Sequence, residues 1–252
     1  MSSSSDPGRA VVVGITSRTG EAIARRLRRA GWSVQGTARI ASRARAVLER
    51  IDADSSDSGN THRVAALDLV DEASIRRFLH DRSEGGPDAD LLVIAGAPFE
   101  ETAIGEAGMA QFLEHAAAQS AGPALLAGGM AGELARSTRP GGGAVVFFGD
   151  VHARLRPRGG AAPYLAGKAS IESLVPLLAV EMAPVRVFGI SPGVIAWADD
   201  FDQTRRRRYL ERVPLGREGT VEEAAELVRA LVDSATYTTG IVIPIDGGRH
   251  LR

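Results

Sequence analysis

The chain of 252 residues contains no cysteine, and only one of its 30 lysine and arginine residues is a lysine, Lys168. The absence of cysteine excludes disulfides, thiolate nucleophiles and Cys-ligated metal sites. Aromatic residues make up 5% of the chain, and no apolar run approaches the ~20 residues that a membrane-spanning helix needs. The net charge of −1 indicates neither a nucleic-acid partner nor a membrane surface.

The N-terminal residues also lack the features of a targeting segment. Residues 1–8 have no basic region followed by an apolar region, so they do not resemble a signal peptide. We therefore expect a cytoplasmic protein with a short disordered tail over residues 1–8 and one domain over residues 9–252. Hydrophobic residues make up 44% of the chain, which is typical of a folded core.

Short apolar segments alternate with helical periodicity along the whole chain, and no linker divides it. This pattern predicts an α/β fold: a single-domain, doubly wound, mostly parallel seven-stranded sheet with helices on both faces. Ligands of such sheets bind beyond the carboxyl ends of the strands. Gly14, Gly96, Asp150 and Gly193 each follow a predicted strand and should converge on one cleft. The predicted strands cover residues 10–13, 34–38, 63–67, 90–95, 144–148, 185–190 and 241–245.

The turn between the first strand and the first helix contains Gly14, Thr19 and Gly20. A glycine turn that leads into a helix N-terminus is suited to a phosphate, because backbone N–H groups and the helix dipole face the anion. The same residues are compatible with a plain strand-to-helix turn.

The second strand is followed by arginine and not by an acid. No Asp or Glu occurs between Ser33 and Val47, whereas Arg39, Arg43 and Arg45 do. In a dinucleotide-binding fold an arginine here accepts a 2′-phosphate, which favours NADPH over NADH. Asp68, at the end of the third strand, could bind the adenine amino group or cap the next helix.

Tyr164 and Lys168 are spaced i and i+4, so both side chains lie on one face of a predicted helix running to about residue 182. An ammonium beside a phenol favours the phenolate and lowers its pKa, which would make the pair a tuned general acid. The alternative is a solvated tyrosine and lysine that lie close together by chance.

With these residues placed, the sequence resembles the short-chain dehydrogenase/reductase family over nearly its whole length. The resemblance implies hydride transfer with NAD(P)H, Tyr164 as proton donor, and Lys168 as the residue that holds the nicotinamide ribose. It also implies a set of cofactor-binding residues. The matching positions for the cofactor are Gly14, Arg18, Thr19, Gly20, Arg39, Asp68, Leu69, Ala95, Gly96, Lys168, Pro192, Gly193 and Val194.

Departures from the general family pattern are similar to the pteridine reductases and dihydromonapterin reductases. Asp150 stands where the family usually has a serine. Gln119, which stands where an asparagine is common, instead departs from this subgroup and motivates the ketone or imine reductase alternative. Arg18 lies in the glycine turn, and Phe99 falls where those enzymes place an aromatic ring against the pterin. The resemblance implies a substrate site of Arg18, Phe99, Asp150, Tyr164 and Trp197.

Reduction of a dihydropterin places hydride on a ring carbon and a proton on the adjacent nitrogen, so it needs a proton donor. Asp150 could relay protons to Tyr164, alone or with His152, or could simply cap a turn. Phe99 could be a stacking surface or ordinary core. We expect an NADPH-dependent dihydropteridine reductase. The alternatives are a ketone or imine reductase of a biosynthetic pathway, and a cofactor-binding scaffold or sensor with little catalysis.

Residues 196–214 resemble the segment that family members use as a substrate lid. Within it, Trp197 could line the pocket or anchor the lid, and the run from Arg205 to Arg208 indicates a solvated helix face more than an anion site. Family members are often tetramers, so we expect a homotetramer. No metal site is expected, because the histidines lack metal-ligand spacing; His62, His80 and His115 are interpreted as structural.

Overall fold

The seven predicted strands form one parallel sheet in the computed structural model, which describes residues 8–54, 63–197 and 202–252. The strand order is β3-β2-β1-β4-β5-β6-β7, and all six neighbouring pairs are parallel. The order reverses between β1 and β4, so the sheet is doubly wound as predicted. The strands are β1 (Arg9–Val13), β2 (Ser33–Ala38), β3 (Arg63–Ala66), β4 (Leu91–Ile94), β5 (Ala144–Phe148), β6 (Arg186–Pro192) and β7 (Ile241–Ile245).

Helices cover both faces of the sheet because alternate strand side chains point to opposite sides. Ala10 and Val12 belong to one buried cluster, whereas Val11 and Val13 belong to another. The first cluster packs against α1, α2 and α8, and the second against α3, α5 and α6. The helices are α1 (Arg18–Arg29), α2 (Ala41–Ala53), α3 (Glu72–Ser83), α4 (Met109–Ala116), α5 (Gly122–Ala135), α6 (Ala162–Glu181), α7 (Gln203–Leu210) and α8 (Val221–Asp233).

Several predicted boundaries differ from the observed ones. Helix α1 begins at Arg18, because the Ser17 side chain caps it by accepting a hydrogen bond from the Gly20 N–H. Helix α2 runs to Ala53, because Ile51 is buried against the core. Most of the predicted N-terminal tail falls in residues 1–7, which, like residues 55–62, lie outside the described residues.

Residues 109–135 form a single helical path that contains a π-helical turn. Residues Ala117–Ala121 form this turn between α4 and α5. Pro123 lacks a backbone N–H, so it cannot donate the usual helical hydrogen bond there. A Cβ on Gly122 would lie 2.0 Å from the Leu69 carbonyl oxygen, so the turn packs closely against the end of the third strand. Such turns are frequent at functional sites.

A buried arginine closes the opposite, amino end of the sheet. Arg186 begins β6 and is 5% exposed. Its guanidinium donates hydrogen bonds to carbonyl groups at the end of α8, which would otherwise lack partners, and to a carbonyl in the turn before β5. The acceptors are the carbonyl oxygens of Gly142, Leu231, Val232 and Ala235.

Candidate active site

A cavity of about 290 Å³ lies at the carboxyl ends of β1, β2 and β4, where the strand order reverses. Sites of this kind take dinucleotides in doubly wound sheets. Five residues that the sequence predicts for a cofactor line it: Gly14, Arg39, Asp68, Leu69 and Gly96.

The glycines of the first turn are required by close packing as well as by any ligand. Gly14 has φ of 72°, and a Cβ there would lie 2.4 Å from the Gly96 Cα. A Cβ on Gly20 would lie 2.3 Å from the Gly14 carbonyl oxygen. Ser17, which sequence reasoning missed, donates a hydrogen bond to the Ala95 carbonyl at 3.2 Å and so joins the turn to the end of β4.

Asp68 does not cap the following helix. Asp71 caps α3 by accepting the Ala73 N–H, whereas Asp68 accepts the Val70 N–H within its own turn. The helix-cap alternative for Asp68 is therefore wrong, and its contact with adenine stays a prediction. Arg39 follows β2 directly and is exposed; across the described ranges its guanidinium forms no ion pair.

Helix α6 carries the Tyr164–Lys168 pair on its buried face. Pro163 lies in the first turn, where its missing N–H costs no helical hydrogen bond. Tyr164 and Lys168 are each 8% exposed. The Lys168 ammonium donates a hydrogen bond of 2.7 Å to the carbonyl of Phe148, the last residue of β5. The interpretation as a solvated surface pair is therefore wrong.

Asp150 lies two residues after β5 and contacts the phenol. Its Oδ2 accepts a hydrogen bond from the Tyr164 hydroxyl at 3.2 Å, and its Oδ1 accepts the His152 backbone N–H at 2.8 Å. The two alternatives for this residue therefore coexist: one carboxylate oxygen caps the turn, and the other faces the tyrosine.

The electrostatic environment raises the pKa of the Tyr164 phenol, chiefly because of burial, and further because of the Asp150 charge and hydrogen bond. The expected lowering of this pKa by Lys168 is not the net outcome, because burial and the nearby carboxylate raise the pKa and the Arg158 charge opposes them. Burial lowers the pKa of Lys168 to about 8, and the Asp150 charge opposes that shift. Tyr164 is thus protonated at neutral pH and able to donate.

Phe99 and Trp197 lie at two sides of this centre. Phe99 is 58% exposed and meets the Tyr164 ring edge-on at a centroid distance of 4.9 Å, so the interpretation as ordinary core is wrong. Trp197 is buried and meets the Tyr209 ring at 5.5 Å. The Arg18 guanidinium donates a hydrogen bond to the Trp197 carbonyl at 2.5 Å, which places Arg18 at the edge of the site.

Two buried polar side chains on the α4 side were missed as site residues. His115, interpreted as structural, lies with its ring centroid 5.9 Å from that of Tyr164. The Gln119 side-chain amide approaches His115 Nδ1 at 2.9 Å from the π-helical turn. Their i, i+4 spacing predicts mutual contact, but nothing in the sequence indicates that they face the tyrosine. His62 lies outside the described residues.

Tyr209 is a further residue that the sequence did not indicate. It lies on α7, within residues 196–214, and its hydroxyl is 3.3 Å from His152 Nε2. His152 Nδ1 is 2.8 Å from the Arg156 carbonyl, so it carries the proton and Nε2 accepts from the Tyr209 hydroxyl. Burial raises the pKa of Tyr209, partly offset by a hydrogen bond from the Val194 N–H. Residues 198–201 of the predicted lid lie outside the described residues.

Most of the remaining predicted residues lie where β6 and β7 end. The Gly193 N–H donates to the Ile245 carbonyl, and a Cβ on Gly193 would lie 2.9 Å from the Asp246 Cβ. Thr19 lies in the first turn of α1, and Pro192 ends β6. Within the parts that the structure describes, no cluster of three metal-ligating side chains is present and no helix is long and apolar enough to span a bilayer.

Comparisons with known proteins agree with this geometry. A family model described as enoyl-(acyl carrier protein) reductase matches residues 14–250. The chain is 31% identical to a Streptomyces violaceoruber protein named granaticin polyketide synthase ketoacyl reductase 2, and the match covers 96% of each chain. It is 28% identical to the 3-oxoacyl-(acyl-carrier-protein) reductase of Pseudomonas aeruginosa, covering 96% of this chain and 97% of that one. A shorter match to protein FixR of Bradyrhizobium diazoefficiens, 38% identical, covers 51% of this chain and 46% of that protein.

A solved short-chain dehydrogenase/reductase from Serratia marcescens superposes with a TM-score of 0.83 at 25% identity, covering 96% of this chain and 98% of that one. A parallel doubly wound sheet with a Tyr164–Lys168 pair at its carboxyl edge defines a nicotinamide-dependent oxidoreductase. The chain belongs to the short-chain dehydrogenase/reductase family and is a reductase of that type.

Proposed function

We propose that the protein is an NADPH-dependent reductase of a C=N bond in a flat heterocycle of the dihydropteridine type. The observation that carries the proposal is the hydrogen bond of 3.2 Å between the Tyr164 hydroxyl and the Asp150 carboxylate. The proposal assigns Asp150, Tyr164 and Lys168 to catalysis and Arg18, Phe99 and Trp197 to the substrate.

A carboxylate beside the phenol is suited to a nitrogen acceptor more than to a carbonyl. A carbonyl oxygen gains negative charge during reduction, and an ionised Asp150 next to it would repel that charge. An imine nitrogen instead needs a proton when its carbon receives hydride. Because the pKa of Tyr164 is raised, the phenol holds this proton at neutral pH. A positioned proton donor typically contributes about 10²–10⁴-fold to the rate.

The proton balance follows from the same contacts. Tyr164 donates its proton to the substrate nitrogen, and the resulting phenolate is stabilised by the Lys168 ammonium, which lies 5.9 Å from the Tyr164 ring. A proton from water then reaches Tyr164 through the Asp150 carboxylate, since the Asp150 side chain is partly exposed. Phe99 offers an exposed ring for stacking on a flat substrate, worth on the order of 1 kcal/mol beyond its buried area.

The cofactor cavity supports NADPH. When bound, the reduced nicotinamide supplies the hydride. Arg39 would hold the 2′-phosphate, Asp68 and Leu69 would contact the adenine, and Lys168 would hold the ribose next to the nicotinamide. Gly14, Thr19, Gly20 and the segments 95–96 and 192–194 would line the rest, since they border the carboxyl ends of β1, β4 and β6.

A ketone reductase of a biosynthetic pathway is the second candidate. It is favoured by the relatives named ketoacyl reductase and 3-oxoacyl-(acyl-carrier-protein) reductase, which match almost the full chain. For this activity Asp150 would have to be protonated so that it could donate to the carbonyl oxygen.

The deciding experiment follows NADPH oxidation with dihydrobiopterin and dihydromonapterin beside a panel of ketones, in wild type and in Asp150→Asn and Asp150→Ser. We expect turnover of the dihydropterins by wild type and its loss in both variants. Turnover of ketones alone, especially if Asp150→Ser is faster, would establish the second candidate. Tight NADPH binding with no turnover of any substrate would instead indicate a scaffold or sensor.

We further propose a cytoplasmic homotetramer. Several large apolar side chains are exposed on α4, α5 and α6. They are Met109, Leu113, Leu125, Leu177 and Val180. Clusters of exposed apolar side chains are typical of surfaces that bind another protein chain. Light scattering of the purified protein tests the assembly, and a monomer with these side chains in solvent would contradict it.

A further inference from the structure

Three segments around Tyr209 carry a concentration of positive charge that the rest of the chain does not. Residues 150–158, 202–217 and 246–252 contain 11 arginines and 4 acidic residues, although the whole chain has a net charge of −1. Three of the four acids are used locally. Asp150 binds its own turn and the phenol, Asp202 caps α7, and Asp246 accepts hydrogen bonds from His250 and from the Gly248 N–H. Three of the arginines pair with carboxylates outside these segments, and the segments themselves keep a surplus of positive charge.

The centre of this charge is Arg249, which is 6% exposed. Its guanidinium lies 5.2 Å from the centroid of the Tyr209 ring, and its Nη1 donates to the Arg252 main-chain oxygen. Its Nε is buried and has no hydrogen-bond partner among the described residues. A buried guanidinium N–H without an acceptor is costly, so an anion bound at this guanidinium would be stabilising.

Arg156 and Arg212 are two further arginines whose charges act on Arg249. Arg156 is tied to the turn after Asp150, because its backbone N–H donates to Val151 and its carbonyl accepts from His152. The Arg212 backbone N–H donates to the Tyr209 carbonyl. Burial lowers the pKa of Arg249; Tyr209 and Asp246 oppose that shift, and the charges of Arg156 and Arg212 add to it, so these two cations repel Arg249. Across the described ranges, none of these three arginines has a side-chain carboxylate within 4.0 Å.

This arrangement adjoins the reacting centre without being part of it. The Tyr209 hydroxyl contacts His152, whose backbone N–H binds Asp150, and Asp150 contacts Tyr164. A substrate whose reacting bond lies against Tyr164 would extend past His152 towards Tyr209. The far end of such a substrate would reach the three arginines.

We propose that Arg156, Arg212 and Arg249 form a binding site for an oxyanion, a carboxylate or a phosphate, carried by the substrate at the end away from the reacting bond. This inference rests on the proposed function for its reacting end. Arginine forks match the planar oxygens of such groups, and an anion would relieve the repulsion between the three cations. The proposed site therefore implies that the substrate carries an acidic side chain.

The first test measures inorganic phosphate binding by calorimetry, at low ionic strength, to protein saturated with NADPH so that the cofactor's own phosphate site is filled. We expect one phosphate per chain. Arg212→Gln and Arg249→Gln should each weaken binding roughly tenfold to hundredfold, as for loss of a hydrogen bond to a charged group. Arg207→Gln, an exposed arginine on α7, is the matched control and should leave binding unchanged.

This measurement needs no turnover, so it stands whether or not the protein reduces a pterin. No binding by wild type at millimolar phosphate would overturn the proposal, as would equal weakening in Arg207→Gln. Arg212 is exposed, so Arg212→Gln keeps the test valid even if Arg249→Gln fails to fold.

The second test compares dihydrofolate, which carries carboxylates, with dihydrobiopterin, whose side chain is uncharged. Arg212→Gln should raise KM for dihydrofolate about tenfold with kcat unchanged, and should leave both constants for dihydrobiopterin as in wild type. Equal changes for the two substrates would contradict an anion subsite. If neither substrate is turned over, the proposed function fails while the phosphate measurement still decides the subsite.

Discussion

Two buried cations lie at opposite ends of the same sheet, and they differ in how their hydrogen bonds are used. Arg186 at the amino end donates to four backbone carbonyls, whereas Lys168 at the carboxyl end donates to one, the Phe148 carbonyl. Burial lowers the pKa of both. Arg186 is a structural cation because carbonyls surround it, and Lys168 keeps donors available for a ligand or a phenolate.

The sharpest test of the functional end is Tyr164→Phe, which removes the proton donor and keeps the ring. We expect kcat/KM to fall by roughly 10²–10⁴ while the melting temperature changes little, because among the described residues the lost hydroxyl bonds to Asp150 alone. Steady-state kinetics and thermal melts on the same preparation check this. Full activity in Tyr164→Phe would remove the general-acid role.

The structural end should show the reverse pattern. Arg186→Met leaves four buried carbonyls without their donor, so the free energy of unfolding should fall by roughly 3–5 kcal/mol. Activity per folded molecule should stay as in wild type, because Arg186 lies at the far end of β6. Urea unfolding with parallel activity assays checks the prediction, and an activity loss that exceeds the folded fraction would break the comparison.

The pH dependence of stability should separate the two cations. The Lys168 pKa is about 8 in the folded protein and 10.5 ordinarily, so the unfolded chain binds more protons between these values. Stability relative to Lys168→Met should therefore rise from pH 8 to about 10.5, by on the order of 3 kcal/mol. Arg186 stays charged throughout that window and adds no slope. Urea titrations of the two proteins across this range measure it, and a flat difference would contradict a buried, weakly basic Lys168.

The smallest effect concerns Arg39, an exposed cation that is neither a buried structural cation like Arg186 nor a neighbour of the phenol like Lys168. Arg39→Ala should reduce the preference for NADPH over NADH by about tenfold, as expected for loss of one charged contact with the 2′-phosphate. Kinetics with both cofactors check it, with Arg45→Ala as the control on the same surface. An unchanged preference would remove Arg39 from the cofactor argument.

Much of the site could be predicted because its residues follow strands directly. Parallel strands bring their carboxyl ends to one edge, so Gly14, Gly96 and Asp150 had to meet there. The contact between Asp150 and Tyr164 was predicted on the same basis, with the family resemblance supplying the roles.

Other parts of the site depend on contacts that local sequence does not encode. Tyr209 reaches His152 across 57 positions, and His115 meets the Tyr164 ring from a separate helix. The i, i+4 spacing shows that Lys168 is near Tyr164 but not how deeply the phenol is buried, and burial is the largest cause of its raised pKa. Burial depends on every layer packed above the residue, so spacing alone does not determine it.

The sequence alone determined the alternation of strands and helices, the doubly wound sheet and the pairing of Tyr164 with Lys168, because these follow from periodicity and chain order. Only the tertiary structure decided that Asp150 serves both the turn and the phenol, that Asp71 and not Asp68 caps α3, and that Arg249 lies over the Tyr209 ring. Each of these depends on groups distant in the chain competing for the same hydrogen bonds or sharing the same electrostatic field.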